Sequence, residues 1–123
     1  MRQITFRMLQ VYGKDRDWMN YRINKEVTAH HIVKREDGGK LEWDNIALLI
    51  PTSHEYLHII EYKDEMTYKI INKLFKSINE QMREPTLKQR QMMEYLLMGF
   101  ECEYSKEINA KGRLLIKEKY LKR

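Results

Sequence analysis

The sequence predicts an α+β chain that is mostly helical, a small β-hairpin and the helix after it, braced by C-terminal helices. Three observations point there. Two runs of β-type composition, Glu26 to Lys34 and Trp43 to Ile50, flank an Asp37-Gly38-Gly39 turn. A helix start follows at Pro51-Thr52-Ser53-His54-Glu55. From Asp64 onward the apolar residues recur at helical spacing. The 123 residues have room for one domain, 1–123, with the hairpin–helix unit at 26–62 and a helical extension at 63–123.

Taken in order, residues 2–12 place Ile4, Met8, Leu9 and Tyr12 near one side of a short helix, and Gly13 to Asp17 reads as a turn. The first strand holds Val27, Thr28, Ile32 and Val33, and Gly38-Gly39 relaxes the limits on φ where the hairpin must reverse. The second strand, WDNIALLI, leads into a helix for which Thr52 and Glu55 have capping-box spacing. Met66, Ile70, Ile71, Leu74, Phe75, Ile78 and Met82 form the apolar stripe of a helix over Asp64 to Arg83, stopped by Pro85. Thr86 and Gln89 have the spacing of a second capping box, opening a helix through Phe100. Residues 106–122 predict a last, basic helix with Gly112 as its weak point, about 1 kcal/mol worse than alanine. The stripes read as core.

Composition excludes several classes. Apolar residues at 42% and charged residues at 33% suit a soluble globular chain, not a disordered one. No apolar run approaches membrane-spanning length, and the first ten residues carry charges where a secretory leader would be apolar, so a cytoplasmic location is expected. Cys102 is the one cysteine, which rules out an internal disulfide or a cysteine-based zinc knuckle, and it reads as an inert, half-buried thiol.

Charge is unevenly placed. Residues 1–25 carry six basic against two acidic side chains, 26–62 three against seven, and 105–123 seven against two. Two basic ends thus flank an acidic middle. Basic ends suit phosphate backbones and a divalent cation would offset the acidic centre, although solvated helix faces give the same counts.

All four histidines, His30, His31, His54 and His58, fall inside that middle. His54 and His58 are four apart at the start of a predicted helix, which puts both imidazoles on one face. His30 and His31 are strand neighbours and point to opposite sides, so they do different jobs. One can face the helix and complete a three-imidazole metal site; the other can stand over a substrate. Neutral imidazoles leave a divalent ion its full charge, and a free histidine is a natural base near neutral pH.

The ordered elements His30-His31-Ile32, Gly38-Gly39, Asp44-Asn45-Ile46 and His54-x-x-x-His58 resemble the HNH (ββα-metal) endonucleases, including the colicin DNase branch and phage-encoded members. The resemblance covers roughly residues 26–62. It implies that His30, His54 and His58 ligate one divalent metal, with Mg²⁺ expected first and Mn²⁺, Ni²⁺ or Zn²⁺ as alternatives. It implies His31 as the general base and Asn45 as the residue that holds the His31 loop, with Asp44 supporting the turn. The substrate it implies is DNA, with RNA left open, and the source bacterial or phage-encoded. Many relatives carry Cys-x-x-Cys knuckles around the motif. Here the matching stretch, Tyr12 to Asn20, has Asp17 and Asn20 where cysteines would stand, so packing by Trp18, Tyr21 and the later helices is expected to replace the metal clip.

For the nucleic-acid grip, Lys34 and Arg35 follow the histidine pair, and Lys111, Arg113 and Lys117 lie in the basic tail. Nothing predicts a base-specific reader, so binding should be backbone-dominated and salt-sensitive. The long helical C-terminus motivates a second reading, a nuclease-fold binding or regulatory protein acting through a protein or nucleic-acid partner, or through a homodimer. A third, in which the histidines hold only a structural zinc, ranks last.

Overall fold

The computed structural model describes residues 2–104. Helix α1, Gln3–Tyr12, turns Thr5, Met8, Leu9 and Tyr12 inward and ends at Gly13, whose φ of 101° favours glycine. After a loop come strands β1, Thr28–His31, and β2, Ile46–Leu49, paired antiparallel with His30 opposite Ala47 and His31 opposite Ile46. Three helices follow, α2 at Pro51–Lys63, α3 at Glu65–Gln81 and α4 at Leu87–Tyr104. The hairpin, helix and bracing helices thus stand in the predicted order.

The strands are shorter than their composition implies. Trp43–Asn45 winds into a 3-10 turn, because the Asn79 amide of α3 captures the carbonyls of Trp43 (2.6 Å) and Ile46 (2.9 Å). A second 3-10 turn, Arg35–Asp37, ends at Gly38 in the left-handed region. All four residues of β2 are buried, whereas β1 buries only His30. The sheet is therefore covered by the helices along β2 and open beside β1.

Capping differs at the two predicted boxes. The Thr52/Glu55 box does not form: α2 begins at Pro51, which puts Thr52 inside the first turn, and the cap residue Ile50 has no side-chain acceptor to offer. Thr86 and Gln89 do cap reciprocally, through Thr86 N–H to Gln89 Oε1 at 2.8 Å and Gln89 N–H to Thr86 Oγ1 at 3.1 Å. Asp64 caps α3 by accepting from the Thr67 amide.

The core draws on every element, from Met8, Tyr12 and Trp18 through Leu48, Leu57 and Ile60 to Phe75, Met93 and Phe100. Tyr12, Trp18 and Phe75 meet ring to ring across it. Cys102 is exposed rather than half-buried, because it falls on the outer side of α4. Among the described residues no helix is long and apolar enough to cross a membrane. The basic helix expected over 106–122 lies outside them.

Candidate active site

Strand β1 and helices α2 and α3 bring the four imidazoles to one cleft of about 420 Å³, which Lys34, Arg35, Glu36, Glu61 and Tyr68 also line. His30 is 3% exposed and meets Tyr68 and Phe75 edge to face. Its Nε2 is 2.9 Å from Asn72 Oδ1 on α3. A carbonyl oxygen only accepts, so Nε2 carries the proton and Nδ1 keeps a lone pair.

His54 is fixed the other way round. Its Nδ1 lies 3.0 Å from Thr28 Oγ1, and that hydroxyl donates its one proton to the Leu49 carbonyl at 2.8 Å. Nδ1 of His54 must therefore donate, which leaves Nε2 as the lone pair. One turn on, the His58 ring stacks on His54 at 5.1 Å and 17°, with Nδ1 3.6 Å from Glu61 Oε1. His30 stands edge-on to His54 at 5.4 Å.

Burial keeps His30, His31 and His54 neutral. It pushes His30 down to about 4, with Asn72 pulling back and the other three histidines adding to the fall. His54 is lowered by burial, then by His58 and His31. His31 is lowered by burial, then by Arg35 and Arg2. At neutral pH each of the three is an imidazole with a lone pair to give.

The pair His30 and His54 suits a divalent ion in type and tautomer, since a ligating imidazole ordinarily donates its second ring N–H to a neighbour. The expected convergence of His30, His54 and His58 on one point is only partly realised. Among the described residues no three His, Cys, Asp or Glu side chains are gathered closely enough to hold a metal. The reason is local: His54 and His58 stack as a pair, while Asn72 draws His30 toward α3.

His31 is half-buried on β1, and its Nε2 is enclosed with no partner among the described residues. Two residues further on, Asn45 clasps the chain. It accepts from the Val33 amide at 2.8 Å and donates to the carbonyls of Val33 and Lys40 at 3.0 and 3.1 Å. Gly39 makes the clasp possible, because a Cβ there would lie 1.7 Å from the Val33 oxygen and 2.8 Å from Asn45 Nδ2. Asp44 sits in the adjoining 3-10 turn, and its carbonyl accepts from Lys76.

Lys34 enters the cleft but is paired with Glu61 and lies over the Tyr68 ring at 5.8 Å, so its charge is committed to a carboxylate. Arg35 lines the cleft. Lys111, Arg113 and Lys117 lie outside the described residues. The residues that sequence reasoning missed are Thr28, Glu61, Tyr68, Asn72 and Arg2. Thr28 had a signal, since it shares a strand face with His30. Asn72 had none, because it reaches His30 from a helix 42 positions away.

Opposite the cleft, the segment 17–21 is clasped by one carboxylate. Asp17 Oδ1 accepts from the amides of Met19 (3.0 Å) and Tyr21 (2.9 Å), and Oδ2 accepts from Ile50 N–H at 3.0 Å. Burial raises Asp17 to about 6, and the neighbouring Ser53 hydroxyl and these amides hold it back. Asn20 takes φ 72° and ties the turn to Arg90 on α4. Trp18 and Tyr21 are buried beside it, so hydrogen bonds join packing in closing this turn.

Residues 18–55 match the family model described as HNH endonuclease. The match takes in the clasped turn, both strands and His54, and stops before His58. Comparison with curated proteins and with solved structures finds no match.

Proposed function

We propose, from the likeness of residues 18–55 to the HNH endonuclease model, that this chain is a nuclease of that family and hydrolyses DNA phosphodiester bonds with the aid of one divalent metal. The observation that carries the reading is the cleft itself, in which four imidazoles lie side by side, two of them held by a hydrogen-bond partner at one ring nitrogen. His30, His54 and His58 would hold the ion. When bound, it supplies Lewis-acid stabilisation of charge on the phosphoryl and leaving oxygens, with Mg²⁺ the first expectation.

The chain's own residues supply the rest. His31, kept neutral, takes the proton of the attacking water; with Nε2 enclosed, the accepting atom is Nδ1. The Asn45 clasp fixes the backbone just after His31, so the imidazole meets the water in one orientation. Arg35, with no carboxylate partner among the described residues, offers its guanidinium to the phosphates beside the cut. Lys34 reaches a phosphate only by giving up Glu61.

Purified protein with supercoiled plasmid and Mg²⁺, Mn²⁺ or Ni²⁺ should nick it, and His31→Ala should lower the rate about 10²- to 10⁴-fold. Equal cutting by the variant removes His31 from the reaction. Metal binding with no cleavage of DNA or RNA in any metal would replace the nuclease reading with that of a binding module.

A further inference from the structure

The partners of His30 and His54 come from outside the histidine motif, and one lies beyond the stretch that the family model matches. Asn72 sits on α3, where its amide oxygen meets His30 Nε2 and its amide also bears on the Tyr68 hydroxyl. With its oxygen set toward His30, Asn72 is the acceptor of that pair. Thr28 is pinned in turn by Leu49, the residue it faces across the hairpin. In this arrangement each partner acts in one sense. Thr28 accepts, and Asn72 accepts.

We propose that Thr28 and Asn72 are positioning residues that set opposite tautomers in His54 and His30, so that the lone pair left on each ring is available in the cleft. An imidazole free in water exchanges between two tautomers, and a ring holding its proton on the wrong nitrogen has no electron pair to give at the right one. Thr28 thus couples hairpin closure to the donor state of His54, because the hydroxyl is an obligate acceptor only while Leu49 takes its proton. Asn72 couples the packing of α3 to the donor state of His30. The helical half of the chain would then belong to the chemistry rather than serve as a brace alone. The inference rests on the metal-site reading above, yet its first readout needs no metal.

The test is imidazole ¹⁵N NMR on metal-free full-length protein, followed by calorimetry with Zn²⁺ alone. In the unmodified protein His54 should carry its proton on Nδ1 and His30 on Nε2. Thr28→Val should release His54 to a tautomer mixture and weaken Zn²⁺ binding about 10- to 100-fold, while Thr28→Ser restores both. Asn72→Leu should do the same to His30 alone, with Asn72→Asp keeping the acceptor. Unchanged tautomers in Thr28→Val and Asn72→Leu, or a proton on His54 Nε2 in the unmodified protein, would overturn the proposal. Expected tautomers in a protein that binds no Zn²⁺ would keep Thr28 and Asn72 as positioning residues and sink the metal site instead.

Discussion

Two buried polar groups sit on opposite sides of the same hairpin, and they are treated in opposite ways. At Asp17 both carboxylate oxygens are taken by backbone amides. In the histidine cleft His30 and His54 each have one nitrogen held and the other left over, and His31 has an enclosed nitrogen with no partner at all among the described residues. A buried polar atom without a partner costs about 1–3 kcal/mol, so the enclosed His31 nitrogen is maintained against stability. The Asp17 side closes a turn. The histidine side keeps valences open for something else to fill.

The largest test of this contrast is Asp17→Ala, which strands the amides of Met19, Tyr21 and Ile50 together. Urea unfolding should show a loss of about 3 kcal/mol or more, and a loss below about 1 kcal/mol would show that packing alone closes the turn. Protonation probes the same group. The folded value for Asp17, about 6, lies above its ordinary 3.8, so the fold favours the protonated acid. That contribution is fully present below pH 3.8 and is lost as pH rises through about 6. The gap amounts to up to about 3 kcal/mol. Stability of the unmodified protein minus that of Asp17→Asn should therefore fall between pH 4 and pH 7. A difference that is flat or rising would place the carboxylate's ionised form as the one the turn prefers.

Gly39→Ala comes next in size. The new Cβ meets the Val33 carbonyl, a backbone atom that cannot swing away, so the Asn45 clasp must open. About 1–3 kcal/mol of stability should go, together with most of the nicking activity, and full activity in this variant would detach His31 from the clasp. Smallest on stability should be His31→Ala, within about 1 kcal/mol of the unmodified protein, because the ring gives up an unpartnered buried nitrogen. A large loss there would make His31 a structural residue and dissolve the contrast.

The pattern of residues was enough for the order of elements, for the Gly-Gly reversal and for the Thr86/Gln89 cap, since each rests on interactions within a few positions. It also marked all four histidines as one cluster. It misjudged the cap of α2, where a box fits Thr52 and Glu55 but proline at position 51 begins the helix two residues sooner than that box would. It offered Lys34 as a phosphate contact, and the fold spends that charge on Glu61 from the next helix.

What the sequence determined by itself was the local periodicity and the spacing of the imidazoles, because helix and strand geometry carry both from neighbour to neighbour. Only the tertiary structure decided which nitrogen of His30 and of His54 is free, that the Asp17 carboxylate would close its turn, and that three imidazoles would crowd together without closing on a common point. Those outcomes depend on Leu49, Asn72 and Ile50 arriving from distant elements, and no interval along the chain encodes where a packed helix will set its side chains.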